Sequence, residues 1–244
     1  MIMSHKKDTG SIIKRILLQK NHPVWRSQYN LFVREISKLE LAGHSTALSV
    51  SCGDGMWDYL AFENNRNIGT IIATDVVDCP VKEEDIRLLN SGHEWFFRKA
   101  VPDSVLPVDD NSCDLVFHQD VIEHTAKPFL LLRENYRVLK DGGYLLFGTP
   151  NIFRPANILK LFLGRLSFPC RLDNGDAAGE CVHIQEFNEY QIKTMLEEVG
   201  FKIVSLKHCF FGVSFLNINF CDFPKSKIGK SLCQYLFVVA QKGT

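Results

Sequence analysis

The stretch ALSVSCGDGMW, residues 47–57, decides which fold this sequence predicts. Its first four residues are typical of a short buried strand, and a turn of small residues and glycines then leads into an apolar helical segment at 56–62. Glycine lets a backbone approach a ligand closely, and the first N–H groups of the following helix face that ligand. Doubly wound proteins use a strand, a glycine turn and a helix to hold nucleotides at the carboxyl edge of the sheet.

Strands and helices alternate along most of the remaining chain. The second predicted strand ends in an acid, Asp75, about 20 residues after the glycine turn, where nucleotide-binding folds place a carboxylate on ribose hydroxyls. Two final strands are predicted to form an antiparallel edge pair. We therefore expect an α/β fold: a doubly wound, mostly parallel seven-stranded sheet with helices on both faces, an antiparallel edge strand and a small cap insertion. The strands are predicted at 47–50, 69–75, 94–100, 113–120, 144–151, 201–208 and 232–240, and the later helices at 82–89, 128–140 and 188–199.

Residues 1–45 predict an N-terminal helical segment ahead of the main domain at 46–244. This segment either packs over the sheet edge or forms a lid in which Trp25, Arg26 or Tyr29 touches a bound cofactor.

The regular alternation breaks at about 152–182, where we expect a cap over the substrate; a purely structural insertion is the alternative. This segment contains the amphipathic stretch LKLFLGRLSF, residues 159–168, which either covers the acceptor or touches a lipid surface. We favour the cap because no cluster of basic residues accompanies the stretch.

The composition excludes several classes of function. Lys plus Arg and Asp plus Glu number 28 each, and no long basic run appears, so nucleic acid is not expected as a partner. No apolar run approaches the roughly 20 residues of a membrane span, and the N-terminus does not resemble a secretory signal, so no stable membrane association is expected. The eight cysteines include no Cys-x-x-Cys pair, which favours reduced thiols in a cytoplasmic protein and argues against zinc. A homodimer is left open.

Several short segments of the sequence, taken in order over residues 47–241, resemble segments of the class I, seven-stranded S-adenosylmethionine-dependent methyltransferases. SVSCGDG resembles their cofactor loop, ATD their acid after the second strand, and LPVDDNSCDLV and RVLKDGGYLLFGTPN their fourth and fifth strands. The shorter blocks DVIEH, TPN and HIQEF are similar to those of a subset that methylates small molecules: quinone precursors, sugars, polyketides and bacterial surface glycans. The resemblance implies S-adenosylmethionine as cofactor and a small-molecule acceptor, with transfer to oxygen favoured.

The resemblance and the strand ends together assign roles to individual residues. His183 and His124 are the preferred bases, because imidazole takes up a proton near neutral pH. Asp120 completes the catalytic set, with Glu123 and Glu186 as orienting partners; a structural role at a helix entry is the alternative for His124. No ligand spacing demands a metal, so none is predicted. We expect Thr149 and Asn151 to bind substrate, and the cofactor to be bound by Ser51, Cys52, Gly53, Gly55, Asp75, Val76, Asp103, His118 and Gln119.

Three positions depart from the family pattern. Ser49 stands where an acid is usual, Ser51 where a glycine is usual, and Pro102 where an acid is frequent. They motivate a second hypothesis, a catalytically inactive methyltransferase fold that serves as a binding or scaffold protein. A nicotinamide-dependent oxidoreductase ranks third, because Met56 and Trp57 stand where the last glycine of Gly-x-Gly-x-x-Gly belongs.

Overall fold

The computed structural model describes residues 12–166, 168, 183–213 and 216–243. The predicted loop at 172–180, most of the second half of the expected cap, and the cysteines Cys170 and Cys181 lie outside the described residues.

Nine strands occur in the described residues, seven of them in one sheet. They are β1 (Ser45–Val50), β2 (Ile68–Asp75), β3 (Glu94–Lys99), β4 (Cys113–Gln119), β5 (Leu139–Pro150), β6 (Phe201–Cys209), β7 (Phe211–Val213), β8 (Ile218–Cys221) and β9 (Tyr235–Lys242). The main sheet has the order β3-β2-β1-β4-β5-β9-β6. β9 runs antiparallel to both β5 and β6, and the five strands from β3 to β5 are parallel. The predicted seven-stranded, mostly parallel sheet is thus confirmed, and the last two strands, β6 and β9, form the predicted antiparallel pair at its edge.

Helices cover both faces of this sheet. They are α1 (Ile12–Asn21), α2 (Trp25–Ile36), α3 (Met56–Asn64), α4 (Glu83–Leu89), α5 (Pro128–Val138), α6 (Pro155–Phe162), α7 (Glu189–Val199) and α8 (Lys227–Ser231), with a 3-10 turn at Ile122–His124. α1, α2 and α3 pack on one face, over alternate strand residues such as Ala47 and Phe117, and α5 and α7 pack on the other, over Leu48 and Val116. Because both faces are covered, almost every side chain of the central strands is buried.

α7 begins and ends where the sequence predicts. The Asn188 side chain accepts a hydrogen bond from the Gln191 amide at 2.9 Å, and the Gln191 side chain bonds back to the Asn188 amide at 3.0 Å. At the other end, Gly200 adopts φ = 105° in the left-handed region. A capping box and a glycine terminator therefore define both ends.

The predicted end of α5 is wrong. The sequence places the helix end at Lys140, before Gly142 and Gly143, but α5 ends at Val138 and β5 begins at once. The glycine pair lies inside β5, where Gly142 has φ = 76° and a Cβ on Gly143 would lie 2.9 Å from the Lys140 carbonyl oxygen. Here glycine permits a close backbone approach within an irregular strand and does not terminate a helix.

The small antiparallel pair β7–β8 and the short helix α8 are absent from the sequence prediction. These elements lie between β6 and β9 along the chain, so they form the connection that lets the last strand enter the sheet. No helix in the described residues is long and apolar enough to cross a membrane.

Candidate active site

A cleft opens at the carboxyl ends of β1, β2 and β4, where a doubly wound sheet places its ligand site. Polar groups and apolar walls both line it. The lining includes Val50, Ser51, Asp75, Val76, Val101, Asp103, Leu106, His124 and Leu131. The structure therefore brings together side chains from four of the segments that the sequence singles out.

The glycine turn after β1 has a left-handed backbone at three positions. Ser51 and Gly53 both adopt φ = 54°, and Gly55 adopts φ = 79°. Gly55 is buried, and a Cβ there would lie 3.2 Å from Leu89, so its role is close packing. Cys52 is buried as well, and its amide donates to the Thr74 carbonyl at 2.9 Å. Ser51 and Gly53 form the accessible side of the turn, with Cys52 and Gly55 supporting it.

Asp75 is fixed at the end of β2 by backbone donors. The Gly53 amide donates to its Oδ2 at 3.1 Å, and the Val76 amide donates to its Oδ1 at 2.8 Å. An ionised carboxylate has about four acceptor positions, so further acceptor capacity remains. The acid is thus tied to the glycine turn and can still accept hydrogen bonds in the cleft.

Asp103 lines the cleft, but its carboxylate serves the neighbouring loop. It accepts from the Thr125 hydroxyl and from the amides of Ala126 and Lys127, both at 3.3 Å. The structure therefore gives Asp103 a loop-closing role that the sequence does not predict.

His118 and Gln119 do not reach the cleft. His118 is buried and stacks on Phe147 with 5.0 Å between ring centroids, and burial lowers its pKa to about 3, so the ring is neutral. Gln119 is also buried and accepts a hydrogen bond from the Tyr235 hydroxyl at 3.1 Å. Their assignment to the cofactor is at odds with this placement, because both side chains point into the layers that cover the sheet.

Thr149 and Asn151 are likewise enclosed. Thr149 donates to Glu123 Oε2 at 2.9 Å, and the Asn151 amide donates to the carbonyl oxygens of Ser231 and Cys233, each at 2.9 Å. Both residues are buried and bonded to protein groups, and neither lines the cleft at the ends of β1, β2 and β4.

The three predicted catalytic residues do come together. The rings of His124 and His183 meet edge to face with 4.9 Å between centroids, although a long stretch of chain separates them. Loss of solvent around the carboxylate raises the pKa of Asp120. The nearby imidazoles of His183 and His124 act in the opposite direction and favour its ionised form. Its Oδ2 accepts a hydrogen bond from Gln28 Nε2 at 2.9 Å.

Two buried glutamates adjoin this cluster, and one of them contacts His183 directly. His183 Nδ1 lies 2.7 Å from Glu186 Oε1, and Asn157 donates to Glu186 Oε2 at 2.8 Å. Arg154 forms an ion pair with the same glutamate. Glu123 is fully buried, and its burial together with the charge of Asp120 raises its pKa well above the usual value.

Sequence reasoning missed the residues that approach the cluster from outside its motifs. Gln28 links α2 to Asp120 and also donates to the Tyr235 hydroxyl at 2.7 Å. Two of the residues considered for a lid contact other protein groups. Trp25 stacks on His22 with 4.0 Å between ring centroids, and Arg26 forms an ion pair with Asp222 at 3.2 Å. A glutamine on an amphipathic helix carries no local signal of such a contact.

Comparisons with known proteins agree with this geometry. The family profile described as a methyltransferase domain matches residues 48–147. A ubiquinone biosynthesis O-methyltransferase of Pseudomonas entomophila is 26% identical over 124 residues, covering 51% of this chain and 52% of the relative. A malonyl-[acyl-carrier protein] O-methyltransferase of a Marinomonas species is 42% identical over 59 residues, covering 24% of this chain and 22% of the relative. The chain thus spans about half or less of the length of these curated relatives.

The fold comparison covers more of the molecule. An S-adenosylmethionine-dependent methyltransferase of Mesorhizobium loti superposes with a TM-score of 0.62 at 15% identity, over 92% of this chain and all of that one. At this identity the likeness establishes the fold alone. Residues 48–147 therefore match a methyltransferase domain, and the sheet order and overall superposition are those of the class I methyltransferase fold.

Proposed function

We propose that this protein transfers the methyl group of S-adenosylmethionine to an oxygen atom of a small molecule, such as a sugar, a glycan precursor or a quinone-like compound. One observation carries the proposal: Ser51 and Asp75 share a single cleft with His124. A cofactor loop and a group that can accept a proton therefore face the same space. The names of both curated relatives, which are O-methyltransferases, support transfer to oxygen.

The cofactor side of the cleft suits an adenosine moiety. Asp75 is held by two backbone amides and keeps acceptor capacity for ribose hydroxyls. Val76, Val101 and Leu106 supply apolar walls for a flat aromatic ring. The left-handed turn at Gly53 exposes backbone beside the carboxylate. When bound, the cofactor supplies a methyl group on a positively charged sulfur.

The acceptor side needs a group that takes the hydroxyl proton as the oxygen attacks. His124 and His183 are the imidazoles at this end, and Asp120 adds a negative charge next to both. Glu186 binds Nδ1 of His183, which fixes the ring and leaves Nε2 as the second ring nitrogen for proton transfer. The protein must also hold the acceptor oxygen at a near-attack separation of ~3 Å.

The setting of the protein follows from the same proposal. We place it in the cytoplasm, acting on a small molecule and not on nucleic acid. The neutral net charge supports the exclusion of nucleic acid, and the six described cysteines, which are all free of disulfides, support the cytoplasmic location.

The alternative is a catalytically inactive scaffold with the same fold, and a specific observation favours it. Ser51 adopts φ = 54°, a conformation that glycine accepts readily and serine does not. If this strain displaces the turn when a ligand enters, the cofactor would bind weakly or not at all.

Calorimetric titration with S-adenosylmethionine and S-adenosylhomocysteine, with NAD as a control ligand, separates the two readings. We expect micromolar binding of both sulfur ligands and none of NAD. Asp75→Asn should weaken binding at least tenfold, because each hydrogen bond to a charged group contributes roughly 1.5–3 kcal/mol. The matched control is Asp141→Asn, since Asp141 is 72% exposed and lies 3.8 Å from its ion-pair partner.

A wild-type protein that binds neither sulfur ligand would refute the proposal and favour the scaffold. If both ligands bind, formation of S-adenosylhomocysteine is then measured with sugar, glycan and phenolic acceptors. Equal affinities for Asp75→Asn and the wild type would remove Asp75 from the cofactor site.

A further inference from the structure

Three side chains, of which His124 lines the cleft, converge in a way that methyl transfer alone does not require. Glu123, His124 and His183 each offer a ligand atom, and these atoms all lie within 4.8 Å of one another. In a metal site with bonds of about 2.1 Å, ligand atoms lie roughly 3–4 Å apart. The cluster is therefore close to the spacing that one cation would impose.

One oxygen of the glutamate lacks a compensating partner. Glu123 Oε2 accepts the Thr149 hydroxyl at 2.9 Å, whereas Oε1 is buried with no hydrogen-bond partner among the described residues. A buried carboxylate oxygen without a partner is costly. A bound cation would give this oxygen the partner that it lacks among the described residues.

The environment of His183 matches that of a metal-bound histidine. Its Nδ1 lies 2.7 Å from the carboxylate of Glu186, which is buried and held in turn by Asn157 and Arg154. Histidines that bind metals almost always donate their other N–H to a carboxylate or carbonyl, which fixes the tautomer. Here that arrangement leaves the Nε2 lone pair as the free ligand atom.

We propose that Glu123, His124 and His183 bind a divalent transition-metal cation such as Zn²⁺. Two imidazoles and one carboxylate suit Zn²⁺ and its first-row neighbours, whereas Mg²⁺ and Ca²⁺ prefer oxygen ligands. Three protein ligands also leave a coordination position open. The carboxylate of Asp120 adds negative charge beside both imidazoles, which favours a bound cation.

The cation deepens the proposed function, and its catalytic role rests on that function, although its binding does not. An acceptor hydroxyl bound at the open position would have a lowered pKa and would lose its proton to solvent. The oxygen would then form its bond to the methyl carbon as the carbon–sulfur bond breaks. In this arrangement His124 and His183 act as ligands, and the cation replaces them in activating the hydroxyl.

The test measures metal binding without cofactor or acceptor. The full-length protein is stripped with a chelator and dialysed, and is then titrated with Co²⁺ by visible absorption and with Zn²⁺ by calorimetry. We expect one equivalent to bind with micromolar affinity or tighter, and His183→Ala and Glu123→Gln to weaken binding at least tenfold. The matched control is His208→Ala, because His208 also pairs with a glutamate, Glu189 at 2.7 Å, but lies outside the cluster.

Circular dichroism establishes which variants fold. If Glu123→Gln does not, the half-buried His183 provides the decisive variant. Absence of stoichiometric binding to the wild type, or a His183→Ala protein with wild-type affinity for Co²⁺, would overturn the site. Loss in the His208→Ala control equal to that in His183→Ala would do the same.

Different results would refute the metal site and the proposed methyltransferase function. If S-adenosylmethionine binds but no metal does, only the cation proposal fails. If metal binds but S-adenosylmethionine does not, the proposed function fails and the metal site stands. Turnover that is unchanged after metal removal would refute the catalytic role of the cation.

Discussion

Replacing Asp58 with asparagine should make the free energy of unfolding less dependent on pH. Asp58 lies in the first turn of α3 and is completely buried. Its carboxylate accepts hydrogen bonds from the Ser49 hydroxyl at 2.6 Å and from the Trp95 indole N–H at 2.7 Å. Burial raises its pKa from 3.8 to about 7, against the opposing effect of these two hydrogen bonds.

The size of the effect follows from this pKa difference. Between pH 4 and pH 7 the folded protein keeps a proton on Asp58 that the unfolded chain has lost, so stability falls as the pH rises. Each unit of pKa difference corresponds to about 1.4 kcal/mol, so the loss between these limits is about 4 kcal/mol. Above pH 7 the loss stays constant. Asparagine cannot ionise, and it keeps a hydrogen-bonding group facing both Ser49 and Trp95.

Urea denaturation at several values between pH 4 and pH 8 measures this difference. The stability of Asp58→Asn relative to wild type should increase by about 4 kcal/mol over that range. Asp141→Asn is the control, because its side chain is 72% exposed and its difference from wild type should stay nearly constant. A stability difference for Asp58→Asn that does not change with pH would refute the reasoning.

Three further substitutions test the backbone and the packing, each by urea denaturation. Ser51→Gly should raise the free energy of unfolding by up to about 1 kcal/mol, because φ = 54° disfavours a side chain; a loss of stability would contradict this. Gly148→Ala should lower it by about 1–3 kcal/mol, since the added Cβ would lie 2.5 Å from Gln119 Oε1 and closer still to the Tyr235 ring. Gly43→Ala is its control, as nothing lies within 4 Å there, and equal effects would exclude a packing cause. Asn188→Ala should cost about 1 kcal/mol through loss of the α7 cap, and an unchanged stability would show that the capping box is dispensable.

The fold was predictable where the sequence marks both the content and the ends of an element. Asn188 and Gly200 bound α7 by hydrogen bonding and backbone geometry that only a few residue types supply. The end of α5 was predicted wrongly from Gly142 and Gly143, because glycine occurs both at helix ends and in irregular strands. Which of the two forms here depends on the pairing of β5 with β4. That pairing is a tertiary contact that no local pattern contains.

The site was predictable in part for a related reason. Asp75, His124 and His183 follow or precede regular elements, and the topology brings such ends together. His118 and Thr149 lie within strands that helices cover on both faces, so period-two alternation cannot tell which side chains reach the cleft. Gln28 reaches the site from α2 through tertiary packing alone.

The position of β9 has a consequence for how the chain folds during synthesis. β9 is paired on both sides, by β5 and by β6, yet both of these strands precede it along the chain. As the protein emerges from the ribosome, β5 therefore has an unpaired backbone edge until residues 235–242 become available. An open edge of this kind readily pairs with other chains. Until β9 arrives, the nascent chain therefore carries an open edge at β5 that the finished sheet lacks.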